Sequence, residues 1–143
     1  MLISTKGRYA LRVLIDMAEH QSDGYVPLKE IAQRQEISEK YLESIVKTLV
    51  RDGVLTGLRG KGGGYRLSRS PDRIRVWDIL NLMEGSLAPV TCLEEGTAKC
   101  LRMADCRTLD MWRGLYRVIG DYLQNYTIED LMHREEPGND YVI

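Results

Sequence analysis

No apolar run in this 143-residue chain is long enough to span a bilayer, because charged residues interrupt each one. The opening Met1-Leu2-Ile3-Ser4-Thr5-Lys6 has neither the apolar stretch nor the cleavage site of a secretory signal, so a cytosolic protein is expected. Cysteine is scarce: Cys92, Cys100 and Cys106 are the only three, and they lie within fifteen residues. An odd number of thiols in a reducing compartment argues against a disulfide framework and towards a metal or redox role. The only histidines, His20 and His133, are far from the cysteines in sequence and read as ordinary helix-surface residues. No nucleophile signature surrounds a thiol and no paired acid and base can be named, so no enzyme is expected. Internal repeats and low-complexity segments are also lacking.

The net charge of −1 would not suggest a polyanion as partner, but its distribution does. Residues 1–50 are neutral overall. Residues 51–86 carry seven basic and four acidic residues, and residues 87–143 carry six and ten. The local field governs counterion release from phosphates, so the basic middle matters more than the total.

Residues 8–19 have the wide apolar face of a helix, with Tyr9, Leu11, Val13, Leu14, Met17 and Ala18, and Gln21-Ser22-Asp23-Gly24 ends it. Pro27 is placed for the first position of a short helix that buries Leu28, Ile31 and Ala32. Ser38 can cap the next helix, in which Leu42, Ile45, Val46, Leu49 and Val50 recur at helical spacing. Its polar face shows Ser38, Glu39, Lys40, Glu43, Ser44, Lys47 and Arg51, and Asp52-Gly53 closes it. Two short helices joined by a turn around Glu36-Ile37 match a helix-turn-helix. Residues 54–58 and 65–69 then read as two strands around Arg59-Gly-Lys-Gly-Gly-Gly64, a basic glycine-rich wing.

Beyond a turn at Ser70-Pro71-Asp72, residues 76–84 form another amphipathic helix, burying Val76, Ile79, Leu80 and Met83. Residues 86–104 show no clear periodicity. A long helix is predicted from about Asp105, with Leu109, Trp112, Tyr116, Ile119, Leu123 and Tyr126 forming a heptad-like seam against another helix. Gly114 and Gly120 could allow close approach there. Thr127-Ile-Glu-Asp130 resembles a capping box for a last short helix, followed by a polar tail.

A helix pair followed by a basic wing points to double-stranded DNA. Arginine suits phosphates and narrow minor grooves, and Arg59 and Lys61 sit at the hairpin tip with Arg66 and Arg69 on the return strand. Ser38, Lys40, Tyr41 and Glu43 lie near the N-terminal end of the second helix, the part that reaches base edges in such motifs, where Glu43 could accept from a cytosine amine. Gly60-Lys61 is no phosphate-binding loop, because neither Ser/Thr after the lysine nor a long helix follows. The cysteine spacings do not match a zinc finger or ribbon. They can hold a soft metal or an iron–sulfur cluster, and three free thiols are the alternative.

The opening Ser4-Thr-Lys-Gly-Arg-Tyr-Ala10, the Ser38-x-x-Tyr-Leu-Glu43 helix, the Arg59-Gly-x-Gly-Gly-Gly-Tyr65 wing and the Asp78-Ile…Met83-Glu84-Gly85 helix resemble the Rrf-two family of bacterial winged-helix transcriptional regulators. The resemblance runs to about residue 132. It implies a homodimer built on the long helix, with each recognition helix and wing on one DNA half-site. It places Arg59 in the minor groove, and Ser38, Tyr41 and Glu43 on the major-groove side. It also implies an iron–sulfur cluster, of two or four irons, on Cys92, Cys100 and Cys106. Two departures stand out: the first cysteine gap is long, and Leu109 stands where a fourth histidine ligand would be expected. Asp110, Glu94, Glu95, Asp105 or a group from the other subunit could take that place, whereas Arg8 replaces an N-terminal aspartate that serves some relatives.

The expected fold is therefore mainly α: a winged helix-turn-helix with a two-stranded β-wing and a long C-terminal dimerisation helix. The expected division is a DNA-binding domain over 1–85, a sensor loop over 86–106, a dimerisation helix and short final helix over 107–134, and a loose tail over 135–143. The expected function is a repressor or dual regulator on a palindromic operator, sensing iron, redox state or nitric oxide, with no membrane partner or small-molecule substrate. The alternatives are a cluster-free regulator controlled by a partner protein or thiol oxidation, and a redox or metal-carrier protein that uses the winged helix only as a scaffold.

Overall fold

The computed structural model describes residues 3–21, 24–97 and 100–132; His133 and the tail expected over 135–143 lie outside them. The first helix, α1, runs Thr5–Glu19 and begins earlier than its apolar period alone indicates, because the Ser4 hydroxyl accepts from the Gly7 N–H at 3.1 Å. Its Ala10, Val13, Leu14 and Met17 are buried at the centre of the main core. Helix α2 is Leu28–Gln35, with Pro27 as the extended residue before it rather than the first helical one. Helix α3 is Glu39–Arg51, capped by the Ser38 hydroxyl, which accepts from the Tyr41 N–H. Leu42, Ile45, Val46 and Leu49 are buried as the period predicts, whereas Val50 is 37% exposed.

The turn between α2 and α3 passes through Glu36 in the left-handed region, φ 54° and ψ 43°. A Cβ there is disfavoured, and glycine is the usual residue. Glu36→Gly should therefore stabilise the protein by up to about 1 kcal/mol, read as a higher denaturant midpoint at unchanged slope. A lower midpoint would mean that the glutamate side chain contributes more than its backbone costs.

Strands β1 (Leu55–Leu58) and β2 (Gly64–Leu67) pair antiparallel in the register Leu55↔Leu67 and Leu58↔Gly64. A third segment joins them: Val26 and Tyr65 exchange backbone hydrogen bonds of 2.8 and 2.9 Å, so the entry to α2 is tied to the wing. That close approach explains Gly64, where φ is +149° and an added Cβ would lie 2.3 Å from the Val26 carbonyl oxygen.

Helix α4 (Val76–Glu84) packs on α1, and Ser4 donates from both its N–H and its hydroxyl to Glu84 Oε1 at 2.8 and 2.7 Å. The two signature segments at either end of the first 85 residues thus meet directly. Helix α5 is Leu109–Gln124 and α6 is Ile128–Leu131. The long helix starts about four residues later than predicted, because Cys106 is extended after a 3₁₀ turn at Met103–Asp105. The capping box forms as predicted between Thr127 and Asp130. Ile128 is fully buried in the main core, and Arg75 bridges Thr127, so α6 closes back on the N-terminal part of the chain.

The C-terminal half of the predicted seam meets a helix, but that helix is the chain's own α4. Leu123 and Tyr126 pack against the cluster of Val76, Leu80 and Leu87, and Tyr116 stacks at a tilt on Trp77 with ring centres 6.0 Å apart. A different stripe, Met111, Leu115, Val118 and Tyr122, faces solvent. These four positions are spaced four, three and four residues apart, which is also a heptad-like row.

Candidate nucleic-acid interface and cysteine segment

Helix α3 is held rigidly from behind and is polar in front. Its buried row anchors it to α1 and β1, leaving Ser38, Lys40 and Glu43 exposed at its N-terminal half. Tyr41 is only half-exposed, because its ring meets Tyr9 edge-on, with centroids 5.8 Å apart and planes at 83°. The Arg12 guanidinium lies 4.9 Å from the Tyr9 ring centre and donates to the Gln35 side-chain and main-chain oxygens. Tyr41 is thus part of the joint between α1 and the helix-turn-helix as well as of the polar face.

A buried carboxylate, absent from the sequence-derived site, locks the same joint. Asp16 on α1 is 2% exposed, and Arg34 of α2 donates to it through Nε at 3.0 Å and Nη2 at 2.7 Å. Gln35 adds a third donor at 2.8 Å. Burial works against the charge of Asp16, but the Arg34 and Gln35 hydrogen bonds and the Arg34 charge outweigh it and hold its pKa below the ordinary value. His20, predicted as an ordinary surface residue, is exposed at the end of α1, with Nδ1 2.8 Å from the Asp16 carbonyl oxygen. An aspartate beside Val13, Leu14 and Met17 was the available sequence signal, since an acid within a buried face needs a partner.

Arg59 and Lys61 are exposed in the loop between β1 and β2. Arg66 is also exposed, but its guanidinium lies over the Tyr25 ring at 5.0 Å, so part of its side chain is committed to bracing the wing. Between α3 and the wing lies an open groove of about 790 Å³, bounded by the start of α2, by Glu43, Lys47 and Val50 of α3, and by Leu58 and Arg59 of the wing. The polar face of α3 and the wing arginine therefore flank a single depression.

The cysteines lie on the stretch that leads into α5. Cys92 and Cys106 are half-exposed and Cys100 is exposed; all three are free thiols. Among the described residues, no three His, Cys, Asp or Glu side chains are gathered closely enough to hold a metal ion. The donor chemistry nonetheless fits a soft metal. Cys106 lies 3.5 Å from the Thr108 hydroxyl, and this contact, with backbone N–H groups at the start of α5, lowers its thiol pKa. Among the described residues, no helix is long and apolar enough to cross a membrane.

Comparison with known proteins matches this architecture. Residues 3–134 fit the family described as Rrf2, iron-dependent transcriptional regulator. The chain is 40% identical over 132 residues to protein rrf2 of Nitratidesulfovibrio vulgaris, covering 92% of this chain and 87% of that protein. It is 36% identical over 136 residues to the HTH-type transcriptional regulator IscR of Erwinia tasmaniensis, covering 95% and 81%. Among solved structures, CymR, the global cysteine regulator of B. subtilis, superposes with a TM-score of 0.72 at 36% identity, covering 92% of this chain and 95% of that one. IscR of T. potens superposes with a TM-score of 0.68 at 32% identity, covering 92% and 85%. A winged helix-turn-helix with these relatives over nearly its full length belongs to the Rrf2 family of transcriptional regulators.

Proposed function

We propose that this regulator binds a palindromic operator as a homodimer and represses transcription in the cytoplasm, without catalytic chemistry of its own. Residues 1–85 form the DNA-binding unit in this reading, 86–106 the sensing segment and 107–134 the dimerising part. One observation carries it: the exposed polar face of α3 and Arg59 of the wing flank the same groove. That arrangement suits a major groove read by Ser38, Lys40, Tyr41 and Glu43 beside a minor groove entered by Arg59, with Lys61 and Arg66 on phosphates. Arg59→Ala should weaken binding about tenfold or more at matched salt, measured on a duplex selected by the wild-type protein. Unchanged affinity would remove Arg59 from the interface.

Cys92, Cys100 and Cys106 would hold an iron–sulfur cluster, with the fourth ligand drawn from Glu94, Glu95, Asp105, Asp110 or the partner subunit. The similarity to IscR and the run of three thiols support this assignment. Such a cluster would supply sensitivity to iron, oxygen or nitric oxide. The chain's own part is to transmit the state of this segment to α5 and, through the Ser4–Glu84 contact, to α1. Protein purified without oxygen should carry iron and sulfide and absorb visible light, and each Cys→Ala variant should lose both. A second reading, a thiol-controlled regulator without a cluster, is favoured by the separation of the three sulfurs and by the similarity to CymR. Colourless wild-type protein that stays iron-free after reconstitution would select it.

A further inference from the structure

The floor of the groove between α3 and the wing has features that base reading does not use. Val50 falls on the row of α3 that the helical period assigns to the core, yet it is 37% exposed. Leu58, at the end of β1, is 47% exposed. Both line this groove, where none of the described residues covers them. Around them, Lys29 from the second residue of α2, Lys47 from α3 and Arg59 from the wing place one cation each from three separate elements. Glu39 and Glu43 line the groove as well, so the cations outnumber the carboxylates by one. Lys29 and Lys47 are both exposed, and neither forms an ion pair with a described carboxylate. Two uncommitted ammonium groups beside an uncovered apolar floor suit a ligand with anionic and apolar parts in alternation.

A sugar–phosphate strand has that composition. If α3 occupies a major groove and the wing the adjacent minor groove, the strand dividing those grooves must pass between them. We propose that this groove is the track of that one strand, with Lys29 and Lys47 each neutralising a phosphate and Val50 and Leu58 packing against deoxyribose. The proposal rests on the DNA-binding reading and adds residues to it. These contacts carry no sequence information; they set affinity, register and salt dependence.

The test uses the full chain and two duplexes of equal length, one selected from a random-sequence library by the wild-type protein and one unrelated. Lys29→Gln and Lys47→Gln should each weaken binding to both duplexes by a similar factor, about fivefold at about 0.15 M salt. Each should also reduce the slope of log affinity against log salt by about 0.9, and the double variant by about twice that. Lys29→Arg and Lys47→Arg should keep both affinity and slope, and melting temperatures should not move, since both lysines are exposed. A double variant with wild-type affinity and slope on both duplexes would overturn the strand track while leaving DNA binding intact. A loss confined to the selected duplex would also overturn it, because it would mark base contacts. Failure of the wild-type protein to select any duplex would overturn the DNA-binding reading, and the track with it.

Discussion

Replacing Asp16 with alanine should cost about 3 kcal/mol of folding stability, the largest single loss expected at a polar residue of this protein. The carboxylate is 2% exposed and accepts from two nitrogens of Arg34 and from Gln35, so its removal leaves a partly buried guanidinium and an amide facing a void. Asp16→Asn keeps the volume but not the charge and should fall between wild type and alanine. The loss has a pH signature. Asp16 has a folded-state pKa below its ordinary value of 3.8, so its contribution is fully present above that value. It disappears as the pH falls through the lower folded-state value. The stability difference between wild type and Asp16→Ala should therefore be constant from pH 7 to about 5 and shrink below about pH 4. A difference that stays level into acid would show that packing, not the ion pair, holds α1 to α2. Because the pair ties α1 to α2, the first helix of the helix-turn-helix, the variant should also bind DNA less well at temperatures where it remains folded.

In the proposed homodimer, Val118→Glu should separate the two subunits without unfolding them. Val118 is 64% exposed in the centre of the outward row of α5, with Met111, Leu115 and Tyr122 exposed beside it. Apolar side chains aligned on one exposed face mark a surface that another chain covers. In a two-fold dimer the same patch meets itself, so one substitution places two carboxylates in one apolar seam. Their burial is costly enough to dissociate the pair. Sedimentation should give the monomer mass, and affinity for a two-half-site operator should drop by at least a factor of ten, since each half-site then binds alone. Leu123→Glu is the informative contrast. Leu123 packs on the chain's own second cluster, so this variant should lower the melting temperature rather than shift the oligomeric state. A Val118→Glu protein that still sediments as a dimer would place the interface elsewhere.

Most of the helix-turn-helix was legible from residues alone. The Ser38 cap, the row Leu42, Ile45, Val46, Leu49 and the capping box at Thr127 all depend on neighbours within four positions, so local spacing suffices to find them. The wing was legible for the same reason, as two short strands around a glycine run. The beginning of α1 was missed by three residues, because Ser4 acts as a cap through a contact that the apolar pattern does not register.

The choice between the two rows of α5 was not legible. Leu109, Trp112, Tyr116, Ile119, Leu123 and Tyr126 have the more regular apolar pattern, but periodicity cannot tell which of two rows faces the chain's own α4. Val50 posed the same problem on α3: its spacing says buried, and only the position of the wing leaves it uncovered. Exposed residues of the candidate interface, such as Lys40, Glu43 and Arg59, were found from residue type and position in the motif. Lys29 was not, because nothing local links the start of α2 to a hairpin some thirty residues later.

Helix and strand positions, the polar face of α3, the basic hairpin and the cysteine run were determined by the sequence itself, through caps, periods and residue chemistry that act over one or two turns. The tertiary structure alone decided that Val26 pairs with Tyr65, that Ser4 meets Glu84, that Asp16 is neutralised by Arg34, and which row of α5 stays free. Each of these joins residues far apart along the chain, or selects between surfaces of equal local pattern. What settles such choices is the burial of the main core around α1 and of the smaller cluster at Val76, Leu80 and Leu87, a property of the folded chain as a whole.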